Sequence, residues 1–162
     1  MTLTLLGQQV PLADIQANAL AIIERHRDEE PMLYWGGLYD MRENRQRACR
    51  DGLTAEERLA KLRAEMTEAW PVAQLIRAAE FIAQAPRIAS MNRKRGSYGW
   101  KHVAERFHKA RDRSADYYVG EGMFIIAAKA MGLRMEQPIG HQHFRFNLSE
   151  RSVTSIPEVR YG

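Results

Sequence analysis

Residues 120–132 read GEGMFIIAAKAMG and hold the longest strongly apolar stretch of the chain. Wound as a helix, this stretch is apolar on most faces, so we expect a helix from about Glu121 to Met131 at the centre of the domain. Gly132 suits the turn that ends such a helix, because glycine adopts a left-handed backbone easily. The stretch contains Lys129 and is much shorter than the roughly 20 residues that cross a bilayer, so we expect no membrane span and no membrane partner.

Helical spacing is also evident on the N-terminal side of this segment. Asp14 can cap a helix over about 13–29, in which apolar residues recur every three or four positions. Thr54 and Glu57 form a capping box, which marks the start of a second helix. Pro71 can begin the next helix, and the two together predict an antiparallel helix pair in the middle of the chain.

The aromatic-rich segment from Met32 to Met41 is interrupted by two adjacent glycines, Gly36 and Gly37. We interpret it as a buried helix with a close backbone contact at the glycines. The helix is expected to continue into an arginine-rich, solvated stretch and to end at Asp51-Gly52.

The remaining elements are short or local. Ser97 can cap a helix through about Lys109, and Phe144-Arg145-Phe146 is typical of a short extended piece. A brief helical turn is expected at 149–151, and a short strand or hairpin at 2–10. The sequence thus predicts a mainly α fold, a compact bundle of about five helices with minor short strands at the N-terminus and near 143–147. One domain over 1–162 is expected, with 1–10 and 157–162 as candidates for flexible ends.

The cysteine content and the N-terminal residues indicate the cellular compartment of the protein. Cys49 is the only cysteine, so an intramolecular disulfide cannot form and a zinc site built from several thiolates is excluded. The first residues lack the cationic leader and cleavage site of a secretory signal. We therefore expect a cytoplasmic protein.

Positive charge is concentrated in one segment, residues 87–113. It holds nine basic residues against two acidic ones, a local charge of +7, and because the whole chain carries +4 the remainder sums to −3. The basic residues are Arg87, Arg93, Lys94, Arg95, Lys101, Arg106, Lys109, Arg111 and Arg113. Such a cluster attracts polyanions by releasing condensed counterions, and Tyr98 and Trp100 in the same segment can stack on bases. The alternative is a solvated surface whose aromatic residues point into the core.

Four residues are candidate metal ligands. His102 and Glu105 are three residues apart on the predicted helix and share a face, and His141 or His143 could complete a site from a later loop. The alternative is a local His–Glu pair, which is favoured because neither zinc-protease spacing nor a carboxylate cluster is present. Phosphate-binding loops, dinucleotide fingerprints and nucleophile elbows are also missing from the sequence. We therefore expect no metal and no cofactor.

Three segments, taken together in chain order, form one composite pattern: SYGWKHVAE at 97–105, YVGEGMFI at 118–125 and FNLS at 146–149. Together they resemble small uncharacterised proteins of phages, prophages and conjugative elements. The resemblance covers about the C-terminal third of the chain and carries no activity. It implies a bacterial mobile-element setting, in which small proteins often bind DNA or disable a host defence complex.

These observations predict a non-catalytic accessory protein that binds nucleic acid, or a bacterial nucleic-acid-handling complex, through residues 87–113. Arg93, Lys94 and Arg95 would supply mobile phosphate contacts, and Lys101, Arg106 and Lys109 a fixed helical face. One alternative is an anti-CRISPR-like inhibitor of a host defence nuclease, which would use acidic residues elsewhere in the chain to meet a basic groove. These acidic residues include Glu56, Glu57, Glu65 and Glu68. A second alternative is a metal-dependent hydrolase built on the four candidate ligands.

Overall fold

The computed structural model describes residues 10–47 and 51–161. They form five long helices, three short ones and four two-residue strands. In chain order these are α1 (Leu12–Glu29), β1 (Leu33–Tyr34), β2 (Gly37–Leu38), α2 (Met41–Gln46), α3 (Ala55–Glu65), α4 (Ala69–Gln84), α5 (Ser97–Arg111), α6 (Glu121–Ala130), β3 (Met135–Glu136), β4 (Arg145–Phe146), α7 (Arg151–Thr154) and α8 (Pro157–Tyr161). The mainly α prediction is confirmed.

Helix α6 is the centre of the bundle, as its sequence predicts. Its residues 121–128 are all buried, and it packs against α4, α5 and α1. Phe124 lies beside Phe81 of α4, with ring centroids 6.4 Å apart. The helix ends as expected: Gly132 has a φ of 75°, its N–H donates to the Lys129 carbonyl, and the Leu133 N–H donates to the Ala128 carbonyl. This pair of hydrogen bonds defines a Schellman motif.

The predicted buried helix over Met32–Met41 is wrong. Strands β1 and β2 pair antiparallel there, with Leu33 opposite Leu38 and Tyr34 opposite Gly37. Gly37 has a φ of 133°, which a helix does not accommodate. The expected close backbone contact does exist, because the hairpin that contains Gly36 and Gly37 lies directly against the start of α6.

The two helices in the middle of the chain also differ from the expected pair. The capping box is confirmed: the Thr54 hydroxyl accepts from the Glu57 N–H at 3.1 Å, and the Glu57 carboxylate accepts from the Thr54 N–H at 2.8 Å. However, α4 begins at Ala69, and Pro71 lies in its first turn. α3 packs against β1 and α2, whereas α4 packs chiefly against α6 and α1.

The C-terminal part of the chain packs against α5. Strand β4 pairs with β3, which confirms the extended piece near 143–147, and the turn expected at 149–151 leads into α7. The segment 157–162, a candidate for a flexible end, forms α8 over Pro157–Tyr161, which packs against α5 with Val159 buried.

At the other end of the chain, the Val10 N–H donates to the Ala130 carbonyl at 3.0 Å. The expected N-terminal strand and Cys49 lie outside the described residues. Within the part of the chain that is described, every helix is too short or too polar to cross a membrane.

Candidate nucleic-acid interface

Helix α5 carries most of the predicted site, and its two faces differ sharply. Trp100, Val103, Ala104 and Phe107 follow helical spacing and are completely buried. Tyr98, His102, Arg106 and Lys109 lie on the opposite side and are exposed. We call these last four residues the α5 stripe. The spacing of four, four and three positions keeps them on one face.

An open depression of about 440 Å³ runs along this surface. His102, Arg106 and Lys109 line it together with Gly99, Arg95, Glu105 and Tyr117. Tyr117 extends the stripe beyond the end of the helix, where the Lys109 ammonium lies 5.5 Å from its ring centroid. The surface therefore has a tyrosine ring at each end and two cationic groups, Arg106 and Lys109, between them.

Arg106 and Lys109 have no carboxylate partner among the described residues. Glu105, the nearest acidic residue along the helix, already accepts from the Lys101 ammonium at 2.9 Å and from the backbone N–H of Val119 at 3.1 Å. Its second oxygen lies 2.7 Å from Nδ1 of His102. Two cationic groups of the stripe are thus left available to an anion.

Acidic residues in the following loop are also engaged elsewhere. Asp116 pairs with Arg77 at 3.3 Å, and Asp112 accepts from the hydroxyl and the backbone N–H of Ser114. These hydrogen bonds from Ser114 lower the pKa of Asp112 below its usual range.

Two residues predicted to contact nucleic acid are not on this surface. Trp100 is completely buried, and Lys101 is only 6% exposed. The Lys101 ammonium is held by Glu105 and lies 4.6 Å from the Tyr118 ring centroid. Both residues stabilise the fold, because the core periodicity of α5 turns these two positions inward.

Arg95 and Arg87 are likewise occupied by contacts within the chain. Arg95 pairs with Glu150 at 3.1 Å, which holds the pKa of that carboxyl below its usual range, and the guanidinium lies 5.3 Å from the Trp100 ring centroid. Arg87 donates to the Met131 carbonyl at 2.8 Å, and burial lowers its pKa.

The other basic residues of the segment remain at the surface. Arg93 and Lys94, just before α5, are exposed, as are Arg111 and Arg113 at its end. The Arg111 guanidinium covers the edge of the core, 5.0 Å from the Phe107 ring centroid. Arg93 and Lys94 are therefore exposed basic residues that precede the helix carrying the stripe.

A buried hydrogen-bond network at the base of the stripe was not anticipated from the sequence. The Ser97 hydroxyl donates to Glu121 Oε1 at 2.5 Å and accepts from the Phe144 N–H at 2.9 Å. Nδ1 of His143 lies 2.7 Å from the same carboxylate oxygen. Ser97 was expected to cap α5, but it is the first residue of the helix and Gly96 is the N-cap.

This network contains the residue types of a nucleophilic triad but not its connectivity. In a triad, the imidazole lies between the hydroxyl and the carboxylate, so that it can remove the hydroxyl proton. Here, the carboxylate of Glu121 lies between Ser97 and His143, and Ser97 is completely buried. The arrangement joins α5, α6 and the β4 segment rather than activating a nucleophile.

The four candidate metal ligands do not form one cluster. The expected His102–Glu105 pair is present, and His143 pairs with Glu121 instead. Both imidazoles lie against Tyr98, with ring centroids 4.7 Å and 5.8 Å from the tyrosine. His141 is exposed, and the described residues hold no group of three or more histidine, cysteine or acidic side chains arranged for a metal ion.

The three segments of the mobile-element pattern meet in this region. Ser97 bonds to Glu121, Lys101 lies against Tyr118, and the FNLS segment contacts the chain just before α5 through Asn92, whose amide donates to the Leu148 carbonyl. Comparison of the chain with protein-family models, curated proteins and solved structures gave no match. The resemblance therefore stays a prediction.

Proposed function

We propose that this protein binds the backbone and bases of nucleic acid through the α5 stripe, as a small accessory protein of a phage or mobile element. The observation that carries the proposal is the row of Tyr98, His102, Arg106 and Lys109 on one exposed helix face, with both cations unpaired among the described residues. Neighbouring Arg93 and Lys94 supply further positive charge.

The dimensions of the stripe fit a nucleic-acid strand. Tyr98 and Lys109 are eleven residues apart, which corresponds to roughly 16 Å along a helix. Duplex DNA places a phosphate every 3.4 Å of each strand, so about five phosphates pass along this length. Tyr98 is 53% exposed, and Tyr117 also presents part of its ring. Exposed rings stack on unpaired bases, which favours a single-stranded segment over a closed duplex.

The charge inventory predicts the salt dependence of binding. Arg93, Lys94, Arg106 and Lys109 can each contact a phosphate, whereas Arg95 and Lys101 are neutralised by Glu150 and Glu105. Each phosphate contact contributes about −0.7 to the slope of log affinity against log salt for a single strand. We expect a slope of roughly −2 to −3 when three or four contacts form.

Charge reversal on the stripe tests this proposal. The double variant Arg106→Glu/Lys109→Glu should weaken binding to short single-stranded DNA and RNA by about tenfold or more, since it removes two phosphate contacts and adds repulsion. The salt slope should become shallower by about 1.4. Fluorescence anisotropy across a salt series measures both quantities, and a duplex of the same length tests the preference for single strands.

A matched control separates local contacts from net charge. Arg42 of α2 and Lys61 of α3 are exposed and have no hydrogen bond or ion pair among the described residues. Arg42→Glu/Lys61→Glu makes the same change in net charge away from α5. Equal losses of affinity in the two double variants, or no binding by the unaltered protein at low salt, would contradict the proposal.

The structure does not favour the two alternative functions. Each acidic residue considered for docking onto a basic groove already has a partner: Glu56 pairs with Arg45, Glu57 completes the capping box, and Glu65 and Glu68 accept from the indoles of Trp35 and Trp70. The hydrolase would require the histidines to converge on one ion, and His102 and His143 instead bind different carboxylates.

A further inference from the structure

Three aromatic rings come together at the N-terminal end of the α5 stripe. Tyr98 lies against His102, with ring centroids 4.7 Å apart and the planes nearly perpendicular, and against His143, with ring centroids 5.8 Å apart. His102 is on α5, one turn after Tyr98, whereas His143 comes from the loop between β3 and β4. We call these three side chains the Tyr98 cluster. Tyr98 is 53% exposed, so much of its ring remains open to a ligand.

Both imidazoles of the cluster are held by carboxylates that are themselves anchored. Nδ1 of His102 lies 2.7 Å from Glu105, which accepts two further hydrogen bonds, one from α5 and one from the loop that follows it. Nδ1 of His143 lies 2.7 Å from Glu121, which also accepts from the buried Ser97 hydroxyl. The two carboxylate side chains are only 13% and 8% exposed. Rings that are ordered before a ligand arrives lose little conformational entropy on binding.

Each imidazole has one ring nitrogen that no other group uses. Nε2 of His102 and Nε2 of His143 make no hydrogen bond among the described residues, and both side chains are exposed. An imidazole nitrogen donates or accepts according to its protonation. Unpaired bases are recognised by stacking on rings such as tyrosine and by hydrogen bonds at their edges. The cluster supplies both kinds of group.

The charges beside the cluster favour a ligand that carries phosphate. Arg106 and Lys109 follow His102 on the same exposed face of α5, and neither has a carboxylate partner among the described residues. Tyr98 and Arg106 are eight residues apart, which corresponds to roughly 12 Å along a helix. A single nucleic-acid strand has an unpaired ring and a phosphate chain, so it can contact the cluster and the cations together.

We infer that the Tyr98 cluster is a subsite for one unpaired base of a single strand, with Tyr98 as the stacking platform and the two imidazoles at the edge of the base. This inference rests on the proposed function. It extends the interface from α5 to the β3–β4 loop through His143, which lies outside the basic segment 87–113. Since phosphate contacts carry no information about bases, the subsite should let the protein distinguish a strand with bases from a bare backbone of equal charge.

Two short strands of equal charge test the subsite on the full chain: octathymidylate, and an octamer in which hydrogen replaces every base. Fluorescence anisotropy at one salt concentration measures both affinities. Octathymidylate should bind at least about tenfold more tightly, as expected for a base stacked on an aromatic side chain. Equal affinities would overturn the subsite but leave the phosphate contacts of the proposed function in place. Absence of binding by either strand would overturn both.

Substitutions locate the subsite through the ratio of the two affinities, since a general loss of structure weakens both strands alike. Tyr98→Ala should lower the ratio by about tenfold because it removes the stacking ring, and His143→Gln by about threefold because it removes an edge contact. His141→Gln is the matched control at an exposed histidine of the same loop and should leave the ratio unaltered. An unaltered ratio in Tyr98→Ala, or equal effects of the two histidine substitutions, would contradict the proposed subsite.

Discussion

Gly122 shows how strongly a single residue constrains this fold. A Cβ atom at Gly122 would lie 1.8 Å from the Tyr34 carbonyl oxygen, and one at Gly120 would lie 2.3 Å from the Trp35 carbonyl oxygen. The Gly122 N–H also donates to the Trp35 carbonyl at 3.0 Å. The hairpin backbone therefore rests on α6 where two glycines leave room for it.

Substitution Gly122→Ala should reduce the free energy of unfolding by at least about 3 kcal/mol, because the atoms that a methyl group would meet belong to backbone and cannot rotate away. Urea denaturation measures the change. Gly140→Ala is the control: Gly140 has open space around it and a φ of 77°, so only the left-handed backbone is penalised, by about 1 kcal/mol. Equal losses of unfolding free energy in both variants would contradict this prediction, because they would show that the hairpin can shift away from a methyl group at position 122 at little cost.

Burial of individual residues on α5 was predictable in part. Positions 100, 103, 104 and 107 follow the spacing of a buried helix face, and this signal places Trp100 in the core. Their place in the basic segment led to the prediction that Lys101 contacts phosphate and that Trp100 stacks on bases, because charge and aromatic content were read without regard to the buried face of the helix. The Glu121 contacts with Ser97 and His143 were not predictable, since they join segments far apart in sequence.

At the scale of elements, local signals identified helices well. The start of α3 and the end of α6 follow from capping residues, which act within one or two turns. The extent of α1 follows from periodicity, but its predicted cap is wrong: Pro11 is the N-cap, and Asp14 lies inside the first turn. The β1–β2 hairpin escaped prediction because its conformation depends on contact with the distant α6 glycines. The packing of α8 against α5 was missed for the same reason, because Pro157–Tyr161 is too short for its own sequence to indicate a helix.

The capping box supports a prediction about α3. Thr54→Ala removes the acceptor for the Glu57 N–H and should lower the free energy of unfolding by about 1 kcal/mol. Thr67→Ala is the matched control, because the Thr67 hydroxyl makes only a long 3.4 Å contact with the Ala64 carbonyl and should change stability by less than about 0.5 kcal/mol. Thermal or urea unfolding of both variants distinguishes a cap from a general effect of losing threonine.

At the scale of the whole molecule, two different concave surfaces lie on one core. α5 and α6 both belong to the buried bundle, and α5 presents the cationic stripe whereas α6 lines an apolar cavity. The sequence predicted a basic surface because charge is local in the chain. It could not predict the cavity, whose walls come from α1, the hairpin, α6 and residues 135–144.

The buried His26 and the half-buried His108 should make the stability of the whole molecule sensitive to mild acid. Burial lowers the pKa of His26 to about 4 and also lowers the pKa of His108. In the unfolded chain, both titrate near about 6.5. Below that pH the unfolded state binds more protons than the native state, so stability falls as the pH drops toward 4. Glu29 has a native pKa of about 2, so it affects the pH dependence of stability only below about pH 4.5, where a glutamate of the unfolded chain takes up a proton.

The free energy of unfolding should therefore decrease by about 2 kcal/mol from His26 alone between about pH 7 and about pH 4.5, with a further decrease from His108. His26→Leu should remove the His26 share, because leucine fills the buried position without a titrating group. His141→Gln, at an exposed histidine, should leave the pH dependence unchanged. Urea titrations at the two pH values measure these differences. An unaltered pH dependence in His26→Leu would mean that the pKa of His26 is the same in the native and in the unfolded protein, which would contradict the prediction.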